Sequence, residues 1–219
     1  MTRRLPIGVL VSGEGTTLDG LAELTLGEHL PVRIALVVAD RPGTRALERA
    51  RQRGLPSVVL SPRGLVREAW ATRVTQELVD QGVELVVLAG FLSILPPSWV
   101  ATWAGRAINV HPSLLPRFGG PGMYGERVHA AVLAAGERET GVTVHLVSSD
   151  VDAGPTIAQE RVPIDPGATA ASVRDRLRPV EIQLLAATLR RFAEGALPLP
   201  YAAPPPAAPA ERDRRDARA

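Results

Sequence analysis

Runs of apolar residues alternate with amphipathic segments along the first half of the chain. The first run, Leu5–Val11, is apolar almost throughout, which is typical of a strand that is buried on both faces of a sheet. The strands predicted in this way are Leu5–Val11, 31–38, 56–60 and 83–88. Apolar residues at helical spacing, each series followed by a glycine, predict the helices 44–53 and 65–81.

Strands that alternate with helices favour a parallel sheet, because parallel neighbours need a crossover connection. The second half adds predicted strands at 141–147 and 156–162 and a last helix at 169–193, in which Pro179 is expected to kink the helix or divide it. The predicted fold class is α/β: a Rossmann-like open sheet, mostly parallel, with helices on both faces, C-terminal antiparallel strands and a long C-terminal helix. Ligands of such sheets bind at the carboxyl ends of the strands.

Three polar residues suggest chemistry at that edge. Asn109 and His111 stand two residues apart in an extended segment, so their side chains leave on the same face, and Pro112 keeps a helix from extending back into them. Asp152 follows segment 141–147 on a turn, and a carboxylate is the usual partner of a working histidine. Together they predict an acyl-transfer site. Taken singly, each is more often a structural or turn-forming residue.

A glycine-rich turn links the first strand to a helical pattern that begins near Leu18. Its sequence, Ser12-Gly13-Glu14-Gly15-Thr16-Thr17, allows the backbone to approach an anion and leaves free N–H groups at a helix start. It lacks both the P-loop motif and the full dinucleotide fingerprint, so a lone phosphate is the better ligand. A tight turn without a ligand fits the same pattern equally well.

Composition narrows the class of protein. The chain has 219 residues, 45% of them hydrophobic, and no apolar run long enough to span a bilayer, which indicates one soluble domain without a membrane partner. A net charge of +2 and an aromatic content of 4% argue against a nucleic-acid partner. The absence of cysteine excludes disulfides and thiolate nucleophiles. Because Met1 leads directly into a strand pattern, we expect no signal peptide and a cytoplasmic location.

The histidines do not suggest a metal site. His129 falls on a predicted helix and His145 inside a predicted strand, and with His111 they form no metal-ligand spacing. We therefore expect His129 and His145 to be structural and the protein to bind no metal.

The ordered combination of motifs is more specific than any one of them. Asn-x-His-Pro-Ser-Leu-Leu-Pro, then Gly-Val-Thr-Val-His-Leu-Val and Asp-x-Gly-Pro, resembles the formyltetrahydrofolate-dependent formyltransferases. The resemblance implies transfer of a formyl group from 10-formyltetrahydrofolate, as co-substrate, to the amine of glycinamide ribonucleotide in de novo purine biosynthesis. We expect a monomer or a homodimer.

The resemblance assigns roles to individual residues. Catalysis falls to Asn109, His111 and Asp152, with Asn109 and a protonated His111 stabilising an oxyanion while Asp152 orients the histidine. The resemblance assigns binding of the substrate phosphate to Gly15, Thr16 and Thr17, and contact with the substrate amine to Glu181. The folate site consists of Arg67, Leu92, Ser93, Ile94, Leu95 and Asn109.

Some of these positions also suit a purely structural role, and some depart from the family pattern. Glu181 fits a surface carboxylate equally well, and Arg67 fits a solvated arginine on a helix. Glu14 and Thr17 stand where asparagine is common, and Ser93 stands where arginine is frequent. A carboxylate beside a phosphate is unfavourable unless it points away.

The predicted domain spans residues 1–197, and the tail, 198–219, is rich in proline, alanine and arginine and is expected to be disordered. Other functions remain open: a formyltetrahydrofolate hydrolase, a methionyl-tRNA or sugar-nucleotide formyltransferase, or a non-catalytic folate- or nucleotide-binding module. We do not expect the hydrolase or the tRNA enzyme, since each usually carries an additional domain for which this chain has no room.

Overall fold

The apolar runs form the centre of a seven-stranded sheet in the computed structural model, which describes residues 3–202. The strands are β1 (Leu5–Val11), β2 (Val32–Ala39), β3 (Ser57–Val59), β4 (Leu85–Leu88), β5 (Ala107–His111), β6 (Glu139–Leu146) and β7 (Thr156–Pro163). The helices are α1 (Thr16–Leu26), α2 (Arg45–Gln52), α3 (Arg67–Asp80), α4 (Pro97–Thr102), α5 (Glu126–Ala134) and α6 (Ala170–Ala193).

The order of the strands is β3-β2-β1-β4-β5-β6-β7. Strands β1 to β5 pair in parallel, whereas β6 pairs antiparallel with both β5 and β7. The predicted fold class is therefore confirmed. Since the chain leaves β1 towards one edge of the sheet and later continues from β4 towards the other, the loops after β1 and β4 are neighbours, joined by the bond from Ser12 N to Gly90 O at 3.2 Å.

Helices cover both faces of the sheet, which explains why its central strands are apolar throughout. On one face, α1, α2 and α6 contribute Leu21, Leu47 and Leu185 to a buried cluster with β1 and β2. On the other face, α3 and α4 contribute Trp70 and Trp99 to a second cluster. The strand that carries Asn109 and His111, and the strand that precedes Asp152, therefore belong to a sheet that helices cover on both faces.

Helix α6 runs without interruption from Ala170 to Ala193, so the predicted division at Pro179 is wrong. Proline lacks the N–H that would bond the carbonyl of Asp175, but its ring lies on the exposed side of the helix. The opposite side, with Leu177 and Leu185, is fully buried, and this packing outweighs one lost bond. Within residues 3–202 no helix, α6 included, has the length and apolar character needed to cross a bilayer.

The chain continues to contact the core after α6. Leu199 packs against the first apolar cluster, and Tyr201 donates from its backbone N–H to Gly105 O at 2.8 Å. The ring of Tyr201 meets that of Phe192 edge to face, with centroids 6.0 Å apart. Residues that the sequence assigned to the tail thus touch the domain. The rest of the predicted tail, 203–219, lies outside the described residues, and its disorder stays a prediction.

The intact α6 predicts that Pro179→Ala stabilises the protein. Alanine restores the N–H opposite the Asp175 carbonyl and favours the helix, so the free energy of unfolding should rise by up to about 3 kcal/mol. Gln183→Ala, at an exposed position one turn further on, is the control and should change it by no more than about 0.5 kcal/mol. Chemical denaturation measures both, and equal values for the two variants would contradict the expectation.

Candidate functional site

The end of β5 presents Asn109 and His111 to the same carboxylate. Asn109 Nδ2 donates to Asp152 Oδ1 at 3.2 Å, and His111 Nδ1 lies 3.5 Å from Asp152 Oδ2. The shared direction follows from their spacing of two residues in a strand. The structure therefore brings together the three residues that the sequence singled out.

Asp152 is held by the turn after β6. Its backbone φ of 56° is left-handed, and its Oδ2 accepts a hydrogen bond from the Gly120 N–H at 3.0 Å. Burial opposes ionisation, but the neighbouring His145 and His111 and the hydrogen bond from Gly120 outweigh burial and hold the pKa of Asp152 below its ordinary value. The site therefore contains a fixed, ionised carboxylate at neutral pH.

His145 belongs to this group, although the sequence suggested only a structural role. Its Nδ1 lies 2.8 Å from Leu146 O, and a carbonyl oxygen can only accept, so Nδ1 carries the proton. Nε2 then accepts from Asn109 Nδ2 at 3.0 Å. Both hydrogens of the Asn109 amide are thus engaged, and Asn109 can donate to a reacting oxygen only by releasing one acceptor. The antiparallel pairing of β5 with β6, which sets Asn109 opposite His145, was the missing signal.

His111 differs in charge from the sequence expectation. Its side chain is buried, and its Nε2 donates to Phe118 O at 2.8 Å. Burial lowers the pKa of His111 below its ordinary value, even though Asp152 and the Phe118 carbonyl act in the opposite direction. The expectation of a protonated His111 is therefore wrong for the ligand-free protein, in which the imidazole is neutral at pH 7.

The glycine-rich turn starts α1 with Gly15 as its N-cap. Gly15 has a φ of 69°, and a Cβ added there would lie 2.6 Å from the Ala46 backbone, so only glycine fits. No side chain caps the first N–H groups of α1, which leaves them available for an anion. The Glu14 side chain is 68% exposed and lies 3.6 Å from Arg45, so its charge is partly compensated.

Thr17 and Glu181 connect this turn to α6. The Thr17 hydroxyl donates to Glu181 Oε2 at 3.3 Å. Burial raises the pKa of Glu181 to about 7, and the bond from Thr17 and the charge of Arg178 offset burial only in part. Glu181 is therefore a carboxyl group that exchanges its proton near neutral pH, and the Thr17 hydroxyl is not free for a phosphate while this bond persists.

Two cavities meet at the Asn109, His111 and Asp152 group. The larger, of about 490 Å³, is lined among others by Gly15, Thr16, Thr17, Asn109, His111, Asp152, Arg178 and Glu181. The smaller, of about 110 Å³, lies between the loops 91–95 and 147–151 and includes Ser93, Leu95, Asn109, His145 and Asp152. Leu92, Ile94, Asn109 and Asp152 line both. A ligand in each cavity would therefore meet the other beside Asn109 and Asp152.

Arg67 stands apart from the group. It lines a surface groove with Trp70, Ser93 and Ile94, and the Asn109, His111 and Asp152 group does not line that groove. Arg178 was not identified from the sequence, because its place in the larger cavity depends on how α6 docks. Within residues 3–202 there is no cluster of three or more histidine, aspartate or glutamate side chains arranged to hold a metal.

The chain is similar to known proteins in sequence and in fold. A family model described as formyl transferase matches residues 5–189. The phosphoribosylglycinamide formyltransferase of Haemophilus influenzae is 34% identical over 199 residues, which covers 88% of this chain and 89% of that protein. The chain is thus similar to that enzyme along nearly the whole length of both.

Two further relatives extend the comparison. The trifunctional purine biosynthetic protein adenosine-3 of Gallus gallus is 38% identical over 197 residues, but this chain spans only 19% of its length. The crystal structure of glycinamide ribonucleotide transformylase 1 from Symbiobacterium toebii has a TM-score of 0.84 and 34% identity, and covers 91% of this chain and 92% of that one.

The raised pKa of Glu181 predicts a pH-dependent stability. A carboxyl group whose pKa moves from 4.5 to about 7 on folding stabilises the folded state fully below pH 4.5, and this contribution is lost as the pH rises through 7. Between about pH 5 and about pH 8, the free energy of unfolding of the Glu181→Gln variant should therefore decline less than that of the parent. Glu194→Gln, at an exposed carboxylate, is the control. Parallel declines in parent and variant would show that Glu181 ionises normally.

Proposed function

The chain belongs to the formyl transferase family, and on that premise we propose that it transfers the formyl group of 10-formyltetrahydrofolate to the amine of glycinamide ribonucleotide. The reaction is a step of de novo purine biosynthesis. The observation that carries the proposal is the meeting of two cavities beside Asn109 and Asp152, since a transfer between two substrates needs both of them at one group.

The ribonucleotide occupies the larger cavity. Its phosphate lies against the N–H groups of Gly15, Thr16 and Thr17, where the positive end of α1 favours an anion. Arg178 lines the same cavity and adds a cation. Glu181 then faces the glycinamide end, and its pKa of about 7 lets it accept a bond from the amine in its ionised form.

Formyl-folate occupies the smaller cavity. The loop 91–95 offers Leu92, Ser93, Ile94 and Leu95, whose backbone groups hydrogen-bond the pterin while apolar side chains cover its faces. The groove beside Arg67 shares Ser93 and Ile94 with this cavity, so it accommodates the anionic tail of the folate. This arrangement leaves the formyl group near Asn109.

The chemistry follows from the charges of Asn109, His111 and Asp152, the trio at which the two cavities meet. The amine nitrogen attacks the formyl carbon, and the carbonyl oxygen becomes an oxyanion to which Asn109 Nδ2 donates after releasing His145 or Asp152. The amine loses a proton to His111 and Asp152 through water, and the folate nitrogen receives a proton as its bond to the formyl carbon breaks. The protonated ring is stabilised between Asp152 and the Phe118 carbonyl. No covalent bond to the protein forms.

One assay separates the candidate functions. The protein is incubated with 10-formyltetrahydrofolate, with and without glycinamide ribonucleotide, and both formylated product and free formate are measured. Formylated ribonucleotide with little formate is expected. Formate released at the same rate without the ribonucleotide would indicate a hydrolase, and binding without turnover would indicate a folate-binding module.

Asp152→Asn tests the trio. The change keeps the shape and removes the charge, so turnover should fall by about 10² to 10⁴-fold while the KM for the ribonucleotide changes little. Since Asp152 raises the pKa of His111, that pKa should fall further in the variant, which NMR of the imidazole measures. Asp150→Asn, at an exposed carboxylate two residues away, is the control. Near-normal turnover of the Asp152→Asn variant would show that Asp152 has only a structural role in its turn.

Arg178→Met tests the phosphate site. Loss of a charged hydrogen bond to the phosphate should raise the KM for glycinamide ribonucleotide by about 10- to 100-fold and leave that for the folate nearly unchanged. Arg176→Met is the matched control, because Arg176 lies on the same helix but lines a different cavity and bonds Asp165. An equal rise for both substrates, or for both variants, would remove Arg178 from the phosphate site.

A further inference from the structure

A second buried carboxylate lies below the loop 90–95, outside the trio. Asp40 follows β2, and its side chain is only 1% exposed. Its Oδ2 accepts from Ser12 Oγ at 2.7 Å and from Ser93 Oγ at 2.6 Å. Arg41 adds bonds from Nε to Oδ1 at 2.9 Å and from Nη2 to Oδ2 at 3.1 Å. One carboxylate thus joins the ends of β1 and β2 to the loop after β4.

The network continues into the backbone of that loop. Ser12 Oγ, which donates to Asp40, also accepts from the Leu92 N–H at 2.8 Å, and Ser12 N–H donates to Gly90 O. The loop is therefore attached at Gly90, Leu92 and Ser93. Apolar packing fixes the two ends of the segment 91–95, where Phe91 stacks on Trp70 and Leu95 is buried in the second cluster. Between them Leu92 is 44% exposed and Ile94 is 55% exposed, so the shape of the middle of the loop depends on polar bonds.

Only an ionised carboxylate can make all these bonds at once. Ser12, Ser93 and Arg41 all donate to Asp40, and two carboxylate oxygens offer enough acceptor sites for them. An amide in its place has a single acceptor oxygen and turns two N–H donors towards groups that are themselves donors. Burial opposes ionisation of Asp40, but the bonds from Arg41, Ser93 and Ser12 hold its pKa below the ordinary value. The network is thus complete at neutral pH.

We propose that Asp40 is a positioning residue for the formyl-folate site. It holds the backbone of Leu92 and Ser93 in the shape that receives the folate ring, and it does so through Ser12 and Ser93. The inference rests on the proposed function, because that function names the ligand of the smaller cavity. Asp40 lines neither cavity, so it contributes to folate affinity without contacting substrate.

Steady-state kinetics of Asp40→Asn give the first test. The KM for 10-formyltetrahydrofolate should rise by about tenfold or more, as expected when a charged hydrogen-bond acceptor is lost, whereas kcat and the KM for the ribonucleotide should change by less than about threefold. Ser93→Ala removes the loop-side bond alone and should show the same pattern more weakly. It also carries the test if Asp40→Asn does not fold. Equal rises in both KM values, or no change in either, would overturn the proposal.

Hydrogen exchange of the substrate-free protein gives an independent test. In Asp40→Asn and in Ser93→Ala, exchange of the amides in loop 90–94 should accelerate about tenfold or more, while those of β1 and β2 stay protected. Acceleration throughout the sheet would mean that Asp40 stabilises the whole fold and would contradict a positioning role, as would unchanged exchange in the loop. Hydrogen exchange is measured without substrate and does not depend on the formyl-transfer assay. If the parent protein fails that assay, the proposed function is rejected, whereas the exchange experiment still decides whether Asp40 positions the loop.

Discussion

The ionised carboxylate of Asp152 is the interaction on which the site depends. A buried charge is costly unless it is bonded, and here the hydrogen bonds come from two separate parts of the chain: the Asn109 amide of β5 and the Gly120 N–H of the loop before α5. Satisfying one charge therefore fixes the relative positions of β5, β6 and that loop. The same charge favours proton uptake by the buried His111, which burial alone would oppose.

Much of the fold could be predicted because its signals are local. The apolar run Leu5–Val11 predicts a strand with the bounds that β1 has, and the alternation of apolar runs with helices indicates the parallel part of the sheet. The predicted division of the last helix at Pro179 was wrong for a physical reason. A proline in a helix is a local cost, whereas the packing of Leu177 and Leu185 that outweighs it comes from elements far away in the sequence.

The site was predictable to the extent that spacing determines it. Two residues of separation in a strand sufficed to pair Asn109 with His111, but His145 joins them only through the antiparallel register of β6 with β5, which the sequence does not specify. The neutral state of His111 and the raised pKa of Glu181 depend on burial, which no pattern of residue types reveals. Asp40 likewise accepts hydrogen bonds from Ser12, which lies 28 positions before it, and from Ser93, which lies 53 positions after it.

The bond between Thr17 and Glu181 joins residues 164 positions apart, near opposite ends of the described chain. It has a consequence for the protein during its synthesis. A chain still on the ribosome has no Glu181 until α6 has been synthesised. A product truncated before α6 would lack Glu181 and with it the bond to Thr17, so the glycine-rich turn is joined to the C-terminal helix only when that helix docks.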